Sequence, residues 1–359
     1  MNLHALPRLF TILLFSLIFS GCTQLGYYTQ SVRGQLDIWR REKPISDVID
    51  DAAAPAALRE RLAQVLAIRE YASRELALPE NRSYRRYADL ERPFVVWNVF
   101  ATEEFSMQPK QWCFAVAGCV SYRGYFAKAD AERFAAEIAA AGHDVHIGGV
   151  PAYSTLGWFS DPVLNTFINY PPVELARLIF HELSHQVVYV KDDSVFNESF
   201  ATAVERAGVD RWIARHGAAA DRAVVVQMQQ QRTDFVRLIQ TYRERLTALF
   251  RSGAAAEVMR TEKKKLYGEM IKDYQTLKQT WGGYAGYDRW FAQPPNNALL
   301  ASVSIYTQQA PAFEALLKEQ GGDLSKFFAV VKAMAQQPKA ERDAALAARM
   351  RASVAASAP

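Results

Sequence analysis

A short motif of histidines and a glutamate near the middle of the chain carries the strongest chemical signal. Residues 181–185 read His181-Glu182-Leu183-Ser184-His185, and an H-E-x-x-H motif on a helix is typical of a zinc site that supplies its own general base. The two histidines are four positions apart, so they project from one face of the helix and can reach the same metal ion. Glu182 lies beside that face, where it could take a proton from a water molecule.

A catalytic zinc also needs a third protein ligand and an open fourth position. Glu198 is the best candidate, because Asn197-Glu198-Ser199-Phe200-Ala201 begins a second predicted helix after a short polar turn. The two helices can then lie antiparallel with facing sides, which completes a set of two histidines and one glutamate. Alternatively, Glu198 stabilises the start of its helix, with Asn197 as the cap.

The two histidines could instead be ordinary residues on a helix surface. The positions around them are apolar: Leu178, Ile179, Phe180, Val187 and Val188. Buried histidines beside a buried glutamate need polar partners, and a metal ion would satisfy all three groups at once. The pattern therefore predicts zinc and the metal-assisted hydrolysis of an amide.

Further polar residues follow the same helix faces. Glu205 lies seven positions after Glu198 and could orient a ligand histidine from behind, as metal sites commonly require, or be a solvated or ion-paired helix charge. Thr202 lies between them and competes for that role. Glu174, two turns before His181, could bind a substrate amine or act only through helix-end electrostatics.

A peptidase also needs a group that stabilises the oxyanion of the reaction. Four side chains are candidates, and the sequence does not choose among them: Tyr122, Arg123, Tyr153 and Tyr306. Tyr153 precedes the motif helix, where zincin-type enzymes place an edge strand that pairs with the substrate. Each of the four could equally be a packed structural residue.

The N-terminus is predicted to be a targeting segment. Leu9–Phe19 is apolar but too short to span a bilayer stably. Ser20-Gly21-Cys22 resembles a bacterial lipobox, which implies that Cys22 is lipidated; an ordinary cleaved signal peptide is the alternative. Thr23 is not aspartate, so the resemblance implies a lipoprotein of the bacterial envelope, anchored in the outer membrane and facing the periplasm.

The state of the other two cysteines has two possible interpretations. Cys113 and Cys119 could form a disulfide in an oxidising compartment, or remain two buried thiols on a strand-like stretch from Trp112 to Tyr122.

The net charge of +4 is spread along the chain without a basic stripe. Nucleic acid is therefore not an expected partner.

The patterning predicts an α+β, predominantly helical fold with a small sheet and a long C-terminal helical hairpin, and the resemblance of the H-E-x-x-H motif to zincin-type sites implies a zincin-like catalytic core. The motif helix is expected from Pro171 to Tyr189, and the next from Phe196 to Ala207, closed by Gly208. The hairpin is expected at Ala218–Phe250 and Ala254–Thr280. The predicted organisation is a signal peptide (1–21), a lipid-anchored tether (22–44), the catalytic core (45–215), a helical region packed on it (216–350) and a frayed tail (351–359).

Four stretches resemble the bacterial family of predicted aminopeptidases of the gluzincin type: 178–186, 196–205, 118–126 and 152–162. The likeness extends from Gly26 to the C-terminal helices. It implies peptide hydrolysis with one zinc ion per chain, held by His181, His185 and Glu198, with Glu182 catalytic. The aminopeptidase activity rests on this resemblance alone.

Two other functions remain open at the level of sequence. One is an endopeptidase that acts on envelope proteins, which would be indifferent to acetylation of the substrate's N-terminus. The other is a non-catalytic envelope lipoprotein with a structural zinc. That role would need a closed site with a fourth protein ligand.

Overall fold

The computed structural model describes residues 26–114, 118–152, 154–217, 219–304 and 309–357. The chain is predominantly helical, with 61% of its residues in helices, and it carries small β-sheets. This confirms the predicted α+β class. No helix within the described ranges has the length and apolar character needed to cross a bilayer.

Helices account for most of the described residues. They are α1 (26–41), α2 (Ile45–Asp50), α3 (Ala56–Leu76), α4 (Lys128–Ala140), α5 (Pro172–Ser184), α6 (Ser194–His216), α7 (Ala219–Phe250), α8 (Ala256–Thr280), α9 (Asp288–Phe291), α10 (Asn297–Ser304), α11 (Ala310–Glu319), α12 (Leu324–Ala335) and α13 (Lys339–Ser357). The helix α1 occupies the segment predicted as a tether. The last helix continues to Ser357, through the segment predicted to fray.

The strands are short and form three small sheets. They are β1 (Lys43–Pro44), β2 (Arg86–Ala88), β3 (Val96–Glu103), β4 (Trp112–Phe114), β5 (Gly118–Val120), β6 (Arg123–Tyr125), β7 (His143–Val150) and β8 (Val163–Leu164). One sheet has the order β1-β2-β8, and a second has β3 in the centre, antiparallel to both β6 and β7. The strands β4 and β5 form a two-stranded hairpin.

The hairpin corrects the prediction of a single strand-like stretch from Trp112 to Tyr122. Cys113 and Cys119 face each other across it and are joined by a disulfide, which decides between the two alternatives for these residues. The second strand begins at Gly118, which has a φ of +74°, a value that glycine adopts without strain. A pattern of alternating apolar residues does not reveal such a reversal, because both arms of a hairpin have the same period.

The motif helix α5 ends at Ser184, before the predicted end at Tyr189. His185 keeps helical backbone angles (φ −62°, ψ −20°), so its side chain lies one helical turn after that of His181 on the same face of the helix. Residues 185–193 reverse the chain between α5 and α6. The Asn197 side chain fixes this turn by bonding both the backbone nitrogen (2.7 Å) and the carbonyl oxygen (2.8 Å) of Val190.

The second helix of the site, α6, is longer than predicted at both ends. It begins at Ser194, with Asp193 rather than Asn197 as its N-cap. It also runs through Gly208, which was predicted to close it. A Cβ atom at this glycine would lie 2.7 Å from the Phe180 ring and 2.9 Å from Leu76. The glycine is thus required by helix packing rather than by a helix end.

The two long C-terminal helices confirm the predicted hairpin. The helices α7 and α8 pack through one apolar stripe, whose buried members are Phe235, Ile239, Tyr242, Leu246, Leu266, Tyr267, Met270 and Tyr274. A break at Gly321–Gly322 separates α11 from α12. The main core, in contrast, lies between α3, α5, α6 and the helices α11 to α13.

Candidate metal centre

His181, His185 and Glu198 converge on one point between α5 and α6. The Nε2 atom of His181 lies 3.2 Å from one carboxylate oxygen of Glu198, and the Nε2 atom of His185 lies 3.8 Å from the other. The two imidazole rings are nearly perpendicular, with centroids 4.9 Å apart. The two helices face each other in antiparallel order, as the sequence predicts.

This triad fits a zinc ion. Zinc binds histidine nitrogen and carboxylate oxygen at about 2.0–2.2 Å in tetrahedral geometry, which places neighbouring ligand atoms roughly 3.4 Å apart. The separations of 3.2 and 3.8 Å lie on either side of that value. Among the described residues, the three side chains form a single group able to hold a metal, with ligand atoms all within 4.8 Å of one another.

The electrostatics of the site also favour a cation. Burial lowers the pKa of His185 to about 4, which leaves this imidazole neutral with a lone pair for a metal. Although burial opposes it, the two histidines lower the pKa of Glu198, so the carboxylate is ionised. An ionised carboxylate in so enclosed a place needs a positive partner. Without a metal, that partner is His181: burial would lower its pKa, but Glu198 and Glu205 raise it to about 10, and a divalent ion would replace the proton on its ring.

Glu205 lies behind the triad and holds His181. Its carboxylate lies 2.8 Å from the Nδ1 atom of His181 and accepts hydrogen bonds from Arg177 (3.4 Å) and Arg232 (3.0 Å). Burial would raise the pKa of Glu205, but Arg232, Arg177 and His181 hold it well below its usual range. Thr202 is also buried on α6, but the bond to His181 is made by Glu205.

Glu182 faces the same cavity from the adjacent position on α5. Within the described part of the chain, its carboxylate accepts no hydrogen bond, so it is available to a water molecule or a substrate. Burial, followed by the nearby carboxylate of Glu198, raises the pKa of Glu182 to about 7, although His181 opposes the shift. A carboxylate with this pKa can both take and return a proton near neutral pH.

Of the candidates for an oxyanion donor, Tyr122 lines the cavity. Burial and the nearby Glu198 carboxylate raise the pKa of Tyr122 well above its ordinary value, so its hydroxyl keeps its proton. Arg123 points elsewhere: its guanidinium lies 4.3 Å from the Tyr27 ring centroid and 4.6 Å from that of Phe134. Tyr153 and Tyr306 lie outside the described residues.

One known protein family matches most of the chain. The model of a family described as "Putative aminopeptidase" matches residues 26–346. The chain belongs to this family. No curated protein and no solved structure matches it. The family description indicates a peptidase, and the match covers every element that builds the site.

In this family member, the cavity at the triad measures about 670 Å³ and is mostly apolar on the side away from α6. The first helix, α1, supplies Tyr27, Tyr28 and Ser31 to its wall, and the disulfide-linked hairpin supplies Phe114, which stacks on Tyr27 with centroids 5.2 Å apart. These wall residues were not predicted from the sequence. The aromatic pair at 27–28 was a signal that the segment packs, but not of what it packs against.

The acidic residues of the cavity are few. They are Glu182, Glu198 and Glu205, and the residues outside the described ranges contain no aspartate or glutamate. Glu174 lies elsewhere: it accepts a 2.7 Å hydrogen bond from Arg177 and lines a separate cavity of about 690 Å³ beside Tyr287. The two cavities are neighbours, because Arg177, Glu205 and Arg232 line both, and the role of Glu174 in binding a substrate amine stays a prediction.

Proposed function

We propose that this chain is a zinc-dependent peptidase with a zincin-like catalytic core. The observation that carries the proposal is a site of three ligands, His181, His185 and Glu198, in a cavity large enough for a peptide. Glu182 lines the same cavity and accepts no hydrogen bond from the residues that the structure describes. A structural zinc would need a fourth protein ligand, and the described residues offer none within reach of the triad. The non-catalytic alternative is therefore disfavoured.

The chain's own groups divide the work of hydrolysis. When bound, a zinc ion would supply Lewis acidity for the substrate carbonyl and for a water molecule. Glu182 takes the proton of that water as general base and returns it to the leaving amine as general acid. Tyr122 donates its hydroxyl hydrogen to the oxygen that gains negative charge. Glu205 fixes the orientation of His181.

Glu205 acts as a positioning residue in this proposal, and its amide variant tests that role. The substitution Glu205→Gln keeps the shape but removes the charge that holds His181, so zinc affinity should fall by about 10-fold to 100-fold. Zinc affinity is measured by competition with a chelator on protein whose folding is verified by circular dichroism. Glu314→Gln is the matched control, since Glu314 pairs with Arg206 outside the cavity. Equal affinities in the two variants would contradict the role.

Removing the hydroxyl of Tyr122 should impair the reaction without affecting the metal. We expect Tyr122→Phe to lower kcat by about 10²-fold, as is usual when one oxyanion donor is lost, with an unchanged zinc content. Steady-state kinetics on a peptide with large apolar side chains gives this value. Tyr284→Phe, at an exposed position, serves as the control. A variant as active as the wild type would leave the oxyanion without an assigned donor.

The preferred substrates are peptides with large apolar side chains, because aromatic residues from α1 and the hairpin form the cavity wall. We propose trimming from the N-terminus, in line with the family description. One observation favours the endopeptidase alternative: each cavity carboxylate is already assigned to the metal, to His181 or to proton transfer, so none is left for a substrate's free amine.

A single preparation tests both the activity and its mode. The chain lacking residues 1–22 is purified, its zinc content is measured, and it is assayed on one peptide series with free and acetylated N-termini. About one zinc per chain and hydrolysis of free peptides alone would support an aminopeptidase. Equal hydrolysis of acetylated peptides at internal bonds would support an endopeptidase. A zinc-loaded protein inactive on every peptide would refute the peptidase.

We also propose that the mature protein is anchored by lipid at Cys22 in the outer membrane, facing the periplasm. The lipobox-like Ser20-Gly21-Cys22 after an apolar segment supports this. The variant Cys22→Ala should move the protein from the membrane fraction of the cell to the soluble periplasmic fraction. Cys113→Ala is the matched control, because it removes a cysteine of the disulfide without touching the anchor. Membrane association of Cys22→Ala equal to that of the wild type would contradict lipid anchoring.

A further inference from the structure

The outer side of α1 is an unusual surface for a folded chain. Tyr28, Val32, Leu36 and Trp39 are all exposed, and their spacing of four, four and three residues puts them on one side of the helix. Large apolar side chains normally pack inward, and a continuous exposed group of them marks an interaction site. This group is therefore unlike the scattered exposed valines of α7 and α8.

A second segment extends the same surface. Phe159 contacts Trp39 edge to face, with ring centroids 4.9 Å apart, and the neighbouring Trp158 is 74% exposed. Together these side chains form what we call the apolar face: Tyr28, Val32, Leu36, Trp39, Trp158 and Phe159. Trp158 and Phe159 belong to the loop whose Leu156 lines the catalytic cavity.

The apolar face belongs to a helix that is fixed to the protein. On its inner side, Ile38 is fully buried in the main core, and Gly34 lies so close to the Phe126 ring that a Cβ atom would clash. Tyr27 and Ser31 line the catalytic cavity from this inner side. The exposure of the outer side is thus not a sign of a helix that is only loosely attached.

The charges beside the apolar face are basic. Arg33 and Arg40 are exposed next to the apolar stripe, and neither forms an ion pair with any described residue. The nearby Arg41, in contrast, is paired with Asp37 and Glu91. An apolar helix face flanked by free arginines and carrying tryptophan is the pattern of helices that lie in the interface of an anionic bilayer.

We propose that the apolar face docks on the surface of a phospholipid bilayer. The chain before α1 identifies this occupant: the apolar segment Leu9–Phe19 and the proposed lipid anchor at Cys22 precede it directly. Tyr28 lies six positions after Cys22, a stretch of chain that spans at most about 22 Å even when fully extended. The anchor would hold this face against the membrane, and the inference rests on that part of the proposed function.

Docking has a consequence for the catalytic cavity. Tyr28 belongs both to the apolar face and to the wall of the cavity. Leu156 lines the cavity and belongs to the same loop as Trp158 of the apolar face, so this loop also contributes to both surfaces. With the apolar face on the bilayer, one rim of the cavity lies at the membrane surface, so peptides at that surface reach it first.

Vesicle binding of the chain lacking residues 1–22 tests the apolar face without the anchor. This form retains every residue that the structure describes. It should sediment with vesicles of phosphatidylethanolamine and phosphatidylglycerol, and less with vesicles lacking the anionic lipid, because Arg33 and Arg40 would lose their partners. The double variant Val32→Ser with Trp158→Ser should bind the mixed vesicles about tenfold more weakly, as two apolar side chains no longer enter the interface.

The matched control is Val226→Ser with Val258→Ser, which removes two exposed valines from α7 and α8. It should bind vesicles like the unmodified chain. Neither Val32 nor Trp158 lines the cavity, so hydrolysis of a short soluble peptide should be equal in all three forms, and failure of the peptidase proposal would be seen separately.

Three results would overturn membrane docking. The unmodified chain could stay in the supernatant with either kind of vesicle. The two double variants could lose binding to the same extent, which would show that the apolar face has no special role. Finally, the chain could form a concentration-dependent dimer that Val32→Ser with Trp158→Ser abolishes, which would assign the apolar face to a second copy.

Discussion

Replacing Glu182 by glutamine should lower kcat by about 10³-fold to 10⁴-fold while the protein still binds one zinc ion. The amide has the same size and keeps the packing of α5, but it cannot accept a proton, so the general base is lost. The metal remains because Glu182 is not among the three side chains that converge on the site. Zinc content and steady-state kinetics on the same preparation measure both effects.

The exposed Glu137 on α4 provides the matched control. Glu137→Gln removes one carboxylate of equal size from the surface and should leave both kcat and zinc content unchanged. A Glu182→Gln protein that is as active as this control would refute the assignment of the base. Loss of zinc together with activity would instead mean that Glu182 is needed to hold the metal.

Replacing His185 by alanine should empty the metal site, which is the second large effect expected. His185 and Glu198 face each other at 3.8 Å, and removing the imidazole leaves one histidine and one carboxylate. Two ligands do not hold zinc against a chelator at neutral pH, since catalytic sites use three. We expect the zinc content to fall from about one per chain to near zero, as measured by elemental analysis after dialysis, and hydrolysis to fall with it.

His216→Ala is the control for this variant. His216 lies at the exposed end of the same helix as Glu198 and stacks on Trp212 with ring centroids 4.0 Å apart. It should keep its zinc. If His185→Ala also retained a full complement of zinc, a different set of ligands would have to hold the metal, and the proposed function would lose its foundation.

The two variants together separate metal binding from proton transfer. Glu182→Gln is expected to be loaded and inactive, and His185→Ala empty and inactive. Excess zinc should not restore activity in either variant, because Glu182→Gln lacks the general base and His185→Ala lacks a metal ligand. A general loss of folding would remove zinc from both alike, and circular dichroism would reveal it.

The sequence determined the parts of the site that depend on local spacing. An interval of four residues on a helix places His181 and His185 on one face wherever that helix lies. Glu198 was predictable because a short polar turn between two helices brings the start of the second beside the first. The helical hairpin was predictable for a similar reason: each arm has its own period and the break at Ser252-Gly253 is local.

Element ends were less predictable, because packing overrides local preference. Gly208 was expected to end a helix, but it lies inside α6 where Phe180 and Leu76 leave no room for a side chain. The motif helix was expected to continue to Tyr189, but it ends at Ser184, and the Asn197 side chain of α6 bonds the backbone of Val190 in the turn that follows. In both cases, the deciding contact comes from another part of the chain.

Only the tertiary structure decided what surrounds the triad. In the folded chain, Arg177 of α5 and Arg232 of α7 both bind the carboxylate of Glu205. Arg123 packs against the ring of Tyr27 instead of facing the cavity. The tertiary structure also makes α1 both a wall of the cavity and an apolar outer face. These arrangements join residues far apart in sequence, and no local periodicity encodes which distant side chains will meet when elements pack.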